Sequence, residues 1–297
     1  MQIELRRDRY AAAVITVVIA AHNESRAIGP LLRKLIPAEY DNDVTVIVVA
    51  SGCTDNTAQI ASAFGNNVWV IDIPGGSKRL ALLAGDAAAG GYPRIYVDAD
   101  VEFGATDLLA LSRELAKPGV LAAVPERMLA LDGCARAVRW YYDIWLRLPD
   151  VRRGMFGRGV LGVTEAGHGR LAGLPAMVAG DLAASLPFAH AERRVVAGAR
   201  VVCPVPTTFL ALLRYRCCVA REVSRAAAGM RRSLARQTGA RPAGLLDIVS
   251  GQPGTAPAAA LFLLVTACAW AAALTHGRSG RDNAAGRPRG WGCPPAG

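Results

Sequence analysis

The chain has 297 residues, of which 52% are hydrophobic, 20% charged and 6% aromatic, and its mean hydropathy is +0.25. That excludes a disordered or fibrous chain, and the length suffices for one large domain or two small ones with a real core. The net charge of +10 is unevenly placed, −3 over residues 1 to 150 and +13 over the remainder, so the basic excess belongs to the second half.

In chain order, Arg6, Arg7 and Arg9 before the apolar stretch Tyr10 to Ala21 imitate a secretory leader. The polar run His22-Asn23-Glu24-Ser25 that follows suits a strand end leading into a helix better than a cleavage site, so a strand is expected at Val14 to Ala21. Val44 to Ala50, Val68 to Ile73 and Arg94 to Asp98 are likewise short, β-branched and nearly continuous in apolar residues. They predict strands buried on both faces, as parallel strands are. Apolar residues at helical spacing over Glu24 to Ile36, Thr54 to Phe64 and Ser77 to Ala89 put a helix between each pair. This alternation predicts an α/β fold with a mostly parallel, doubly wound, Rossmann-like sheet and right-handed crossovers.

Beyond Asp100 the pattern predicts a helix at Thr106 to Ala116, a strand at Val120 to Pro125 and a helix at Cys134 to Leu148. A Gly-rich stretch (Gly154 to Gly173), a short helix after Asp181, strands at Arg194 to Val196 and Arg200 to Pro204, and an Arg-studded helix from Thr207 to about Gln237 follow. Gly157-Arg158-Gly159-Val160-Leu161-Gly162 satisfies a dinucleotide-binding pattern, with Asp181 near the distance of a ribose-binding acid. It lies past the sheet-building half and opens into Val160 to Thr164, which reads as strand rather than helix, so a nicotinamide enzyme is disfavoured.

Residues 241–255 read as a linker. Ala256 to Thr275 carries no charge and would rise about 30 Å as a helix, one hydrocarbon core; it is either a buried helix of a soluble domain or a transmembrane segment, and its flanking Gly and Pro favour the latter for residues 256–275. Residues 276–297 have the composition of a disordered basic tail. Arg193 to Arg241 holds eleven arginines and one acid, Glu222. A basic helix there suits anionic lipid headgroups or phosphorylated substrates better than nucleic acid. The expected location is the cell membrane with a cytoplasmic catalytic domain. Orientation is left open by Arg236 and Arg241 before the segment and Arg278, Arg281, Arg287 and Arg289 after it. Removing residues 250–297 is expected to release a soluble protein. The seven cysteines include no Cys-x-x-Cys pair, so neither a zinc site nor a disulfide scaffold is indicated and a reducing compartment fits.

Ligands of open parallel sheets collect at the carboxyl ends of the strands. Three predicted strands end in polar clusters: Asn23-Glu24, Ser51-Gly52-Cys53-Thr54-Asp55 and Asp98-Ala99-Asp100. Asn23 and Thr54 or Asp55 can also be read as helix caps. Asp98 and Asp100, at i and i+2 in extended chain, point to one side; they either form a solvated acidic turn or hold a hard cation such as Mg²⁺ or Mn²⁺. Lys78, after Gly75 and Gly76 at a helix start, is either a phosphate ligand or a solvated first-turn lysine. No Gly-x-x-x-x-Gly-Lys-Ser/Thr loop exists, which disfavours an ATPase.

Together, Val17-Val18-Ile19-Ala20-Ala21-His22-Asn23-Glu24, Ser51-Gly52-Cys53-Thr54-Asp55-Asn56-Thr57, Lys78-Arg79-Leu80-Ala81-Leu82-Leu83-Ala84-Gly85 and Asp98-Ala99-Asp100 resemble the family 2 glycosyltransferases, inverting nucleotide-sugar enzymes of GT-A fold. The resemblance covers about Val14 to Arg221. It implies a GT-A domain over residues 1–240 with C-terminal interfacial and transmembrane helices. Asn23, Glu24, Asp55 and Lys78 would bind the donor, and Asp98 with Asp100 would be its D-x-D pair, holding Mg²⁺ or Mn²⁺. Asp181, in Gly180-Asp181-Leu182, stands at the place of the general base, with Gly where the family usually has Glu; Glu165 and His168 are the fallback bases. Arg214 and Arg216 resemble the segment that caps the diphosphate in membrane members. The absence of Gln-x-x-Arg-Trp argues against a processive polymerase. The implied reaction moves one sugar from a UDP- or GDP-sugar to a hydroxyl or phosphate, on a lipid in one reading. The alternatives are a nucleotide-sugar-binding protein without turnover, or a nucleotidyltransferase.

Overall fold

The computed structural model describes residues 15–36, 44–172, 187–225, 235 and 244–276. Strands β1 (Ile15–Ala21), β2 (Val44–Ser51), β3 (Val68–Ile73) and β4 (Arg94–Asp98) alternate with helices α1 (Ile28–Leu35), α2 (Thr57–Ser62) and α3 (Lys78–Ala88). After them come α4 (Ala105–Leu115), β5 (Ala122–Leu129), α5 (Arg136–Arg147), α6 (Pro149–Arg153), β6 (Val160–Val163), α7 (Glu165–Ala172) and β7 (Arg193–Cys203). Helices α8 (Phe209–Arg225), α9 (Leu245–Gly251) and α10 (Ala256–His276) complete the described chain. The seven strands form one sheet in the order β3-β2-β1-β4-β6-β5-β7. Its first four strands are parallel, β6 runs antiparallel to both neighbours, and β5 and β7 are parallel. The mostly parallel, doubly wound α/β sheet expected from the sequence is therefore present.

Burial explains why β1 is apolar at every position but one. Val17, Ile19 and Ala21 pack into the larger cluster with Leu31 and Leu32 of α1 and Leu108 and Leu111 of α4. Ala20 faces the other side with Ile47, Val49 and Ala81 of α3. Alternate residues of one strand thus feed two apolar layers. The approach of α3 to the sheet depends on Gly85, because a Cβ there would lie 2.4 Å from Val18 Cγ1. Gly85→Ala should lower stability by about 1–3 kcal/mol through overpacking and loosen the helix that carries Lys78. An unchanged thermal midpoint would show that α3 can shift freely.

The predicted elements differ from the observed ones in three places. The two short strands expected around 194–204 are one strand, β7, whose pairing with β5 shifts register between Pro125 and Glu126. The Gly-rich stretch contains β6 and α7. Its dinucleotide-like glycines build a turn: Gly157 and Gly159 have φ of 66° and 63°, left-handed conformations that glycine adopts at little cost. The chain then enters a strand, as expected, and not the helix a dinucleotide site needs. Within the expected linker, residues 245–251 are helical.

Helices α5, α8 and α10 form a separate layer. Tyr141 of α5 stacks on Phe262 of α10, with ring centroids 5.0 Å apart, and Leu212, Val219 and Val223 of α8 join the same cluster. Ala258, Phe262, Val265, Ala269 and Ala273 are buried, spaced three to four residues apart along one side of α10. Leu263, Leu264 and Leu274 remain exposed. The helix is long and apolar enough to cross a membrane, and 39% of its most apolar window is buried against the protein. Deleting residues 250–297 would therefore uncover Tyr141 and its neighbours. Among the described residues Cys53, Cys134, Cys203, Cys217 and Cys268 are free thiols and Cys218 is disulfide-bonded, a bridge that the reading of a reducing compartment did not anticipate.

Candidate functional site

The carboxyl ends of β1, β2 and β4 lie side by side in the parallel sheet, so the polar residues that end these strands converge. The loops after β1 and β2 are tied together by hydrogen bonds. The Ser25 N–H donates to Asp55 Oδ2 at 3.0 Å, the Glu24 N–H to Thr57 Oγ1 at 2.8 Å, and the Thr54 N–H to Asn23 Oδ1 at 2.8 Å. Asn23 adopts φ 57°, a left-handed conformation that asparagine tolerates better than most residues. The His22 ring donates to the Ser51 carbonyl at 2.6 Å. The capping role expected for Asn23 is not seen: α1 is preceded by Ala27, and the side chain of Asn23 reaches the neighbouring loop instead.

Asp55 accepts further bonds from the backbone N–H and the hydroxyl of Thr57. Burial pushes its carboxyl up, but the bonds from Thr57 and Ser25 outweigh it and hold the pKa at about 2. The carboxylate therefore fixes the shape of the site at any working pH. Ser51 joins this frame to the α3 side: its hydroxyl donates to the Gly75 carbonyl at 2.6 Å and accepts the Ser77 N–H at 3.1 Å. Gly52 has φ 60°, and a Cβ there would lie 2.7 Å from the backbone of Gly75 and Gly76, so only glycine lets these two loops touch.

Lys78 is the first residue of α3, after the N-cap Ser77, and its ammonium donates to Asp98 Oδ1 at 2.6 Å. The Asp98 N–H is held by the Gly159 carbonyl at 2.7 Å, and a Cβ on Gly159 would clash with Val101 at 2.5 Å. The glycine pattern that imitates a dinucleotide site thus supports the Asp98 turn. Glu24 is pushed up to about 7 by burial and by the charges of Asp100, Asp55 and Asp98. Four carboxylates and one ammonium face one another at the end of the sheet. Among the described residues such a site has more hard oxygen donors than positive charge, which fits a divalent cation accompanied by a polyphosphate. Among the described residues no three His, Cys, Asp or Glu side chains form a ready cage, so the chain supplies only part of a coordination shell. Mg²⁺ and Mn²⁺ sites on phosphates are of this kind.

Glu24 also makes stability depend on pH. The folded chain holds its proton up to about 7 and the unfolded chain only to about 4.5, so stability falls as pH rises through that window. Glu24→Gln should raise the thermal midpoint at pH 8 in EDTA and leave it unchanged near the lower limit. A difference independent of pH would mean that the carboxylate is not crowded by its neighbours.

Arg214 is exposed on α8, whereas Arg216 is 4% exposed and lies over the Tyr141 ring at 5.6 Å, within the helical layer. Asp181 lies outside the described residues. The fallback bases are at the wrong end of the sheet: β6 ends at Val163 opposite Arg94, the start of β4, and Glu165 and His168 follow it. His168 contacts Tyr92 Oη at 2.9 Å and Asp86 at 3.4 Å there. Residues whose roles the sequence did not reveal are His22, Ser51, Thr57 and Gly159; the first three stand beside the acidic residues in the strand-end motifs, and their bonds across the two loops leave no signal in the sequence.

The profile of the family described as "Glycosyl transferase family 2" matches residues 16–167, half of the chain and all of this cluster. The chain belongs to glycosyl transferase family 2. A curated relative, the 4,4'-diaponeurosporenoate glycosyltransferase of Staphylococcus aureus strain USA300, is 34% identical over 106 residues, 34% of this chain and 28% of that protein. The chain thus spans less than a third of the relative it matches. Among solved structures, a mannosyltransferase from Pyrobaculum calidifontis in complex with GDP-Man and Mn²⁺ superposes with TM-score 0.58 and 18% identity, covering 90% of this chain and 88% of that one. Glucosyl-3-phosphoglycerate synthase from Mycobacterium tuberculosis, in complex with Mn²⁺, UDP-glucose and phosphoglyceric acid, gives 0.50 and 20%, covering 77% and 81%. These likenesses establish the GT-A fold for the sheet and its flanking helices.

Proposed function

We propose that this family 2 glycosyltransferase moves a single sugar from a UDP- or GDP-sugar to a hydroxyl or phosphate acceptor, with inversion at the sugar carbon. The observation that carries the reading is the Lys78–Asp98 pair within a cluster of four carboxylates at the carboxyl end of the parallel sheet. Asp98 and Asp100 would hold Mg²⁺ or Mn²⁺, which when bound neutralises the departing diphosphate. The complexes of the Pyrobaculum and Mycobacterium enzymes with Mn²⁺ and nucleotide sugars support that choice. Lys78 exchanges its Asp98 partner for a donor phosphate, and the helix N-terminus on which it sits adds backbone donors. Asp55 and Asn23 keep the floor of the donor pocket rigid, and Glu24 accepts from the nucleoside. Asp181 takes the proton of the acceptor.

An acceptor of lipid character is supported by the diaponeurosporenoate glycosyltransferase relative and by the exposed leucines of α10. We assign the protein to the cell membrane, its catalytic domain cytoplasmic, where nucleotide sugars are made. Full-length protein should remain in the pellet after carbonate extraction; recovery in the supernatant would defeat the anchor. The reaction itself is tested by incubating the protein with labelled UDP-, GDP- and dTDP-sugars, Mn²⁺ and a lipid extract. Transfer or hydrolysis of a UDP- or GDP-sugar is expected. Binding of every donor without turnover of any would favour the binding-protein alternative.

A further inference from the structure

A second cluster of charge lies away from the donor site. Arg152 and Arg153 at the end of α6, with Arg193 and Arg194 at the start of β7 and His190 just before it, line a cavity of about 390 Å³ beside Met155. Arg193 pairs with Ala122, Ala122 with Val163 and Val163 with Arg94, so the cavity is level with the beginning of β4, where Asp98 is its end. Four residues of rise and three strand spacings separate the two, roughly 19 Å. The cavity therefore does not belong to the diphosphate site.

Bonds to backbone carbonyls, which leave the charge in place, hold Arg194 and the turn that carries Arg152. Arg158, 3% exposed, donates to the carbonyls of Gly154, Pro125 and Arg152, and so clamps the end of α6 onto β5. Arg194 donates to the carbonyls of Ala191 and Arg193. Glu192, the acid nearest in sequence, is committed elsewhere: it accepts from Arg170 at 2.6 Å and from the Ala189 N–H at 2.8 Å. Among the described residues no carboxylate lies within ion-pair distance of Arg152, Arg153 or Arg194. A concave site in which Arg152, Arg153 and Arg194 have no carboxylate in ion-pair reach among the described residues suits an anion with several acceptor oxygens, and arginine forks match phosphate in particular. Its volume is at the lower end of small-ligand sites, enough for a phosphate and part of the group it is attached to.

We propose that this cavity is a phosphate-binding site, separate from the donor site, that takes the phosphate of a lipid headgroup or of a soluble phosphate ester. The position of α6 places it near apolar surface. Its first residue, Pro149, packs against Gly244, directly before α9, where Leu246 is 84% exposed.

The test uses the full chain in EDTA, carrying Lys78→Gln to silence the donor phosphate subsite, and inorganic phosphate as the probe. Because Arg153 and Arg194 are exposed, Arg153→Gln with Arg194→Gln should preserve the thermal midpoint while weakening phosphate binding at least about tenfold, the loss of charge-assisted bonds. Arg153→Lys with Arg194→Lys should recover part of it, since charge without the fork remains. Equal phosphate affinity with and without the two arginines would overturn the site, as would no binding in their presence. A second arm measures co-sedimentation with phosphatidylcholine vesicles with and without phosphatidic acid. Loss of the acid-dependent binding in the glutamine variant assigns the site to lipid; unchanged sedimentation beside lost phosphate binding assigns it to a soluble ester. Neither readout involves a sugar nucleotide, so the result stands apart from the proposed transfer reaction.

Discussion

Asp100→Asn is expected to lower turnover roughly 10³-fold, because a cation that stabilises the leaving diphosphate contributes several kcal/mol to the transition state. The same change should abolish the cation-dependent part of donor affinity, so that kcat falls and KM rises together. The geometry behind this is specific. Asp98 already has a partner in Lys78 at 2.6 Å, while Asp100 contributes most among the charges that, with burial, push Glu24 up to about 7. Removing the Asp100 charge should therefore also lower the Glu24 pKa in the cation-free protein. If Asp100→Asn kept wild-type kcat and the same response to EDTA, the cation would have to sit elsewhere.

Asp181→Asn should act differently, lowering kcat about 10²- to 10⁴-fold with donor affinity nearly unchanged, the signature of a positioned general base. Calorimetry with the nucleotide alone separates the two variants, since only Asp100→Asn should weaken it. The competing role for Asp181 is that of N-cap to the segment after Gly180, worth about 1 kcal/mol of stability. A variant that loses thermal stability yet keeps more than about a tenth of wild-type kcat would leave only the cap, because proton transfer accounts for far more than that. Glu165 and His168 could not replace it from the far end of β4.

The sheet was legible in the sequence because its parallel strands must be apolar on both faces, which gave Ile15 to Ala21 and Val44 to Ala50 nearly continuous signals. The convergence of Asn23, Glu24, Asp55 and Asp98 was legible for the same reason: polar residues that end such strands have one place to go. What could not be read was pairing across the fold. Lys78 meets Asp98 only because α3 returns over the sheet, close enough that position 85 must be glycine. The β6 turn was ambiguous because a left-handed Gly-x-Gly serves a strand entry as well as a phosphate loop. The C-terminal apolar segment shows the limit of hydropathy, since uniform Ala and Leu conceal the side that Phe262 and Val265 bury against α5 and α8.

The central claim, that these carboxylates and Lys78 form a cation-dependent site for a nucleotide diphosphate, is tested most directly by titrating the full-length protein with UDP and GDP in a calorimeter, once with Mn²⁺ and once with EDTA. Binding of one of the two nucleotides that needs Mn²⁺, and is weakened by Lys78→Gln, is the predicted result. Equal affinity with and without the cation would contradict it.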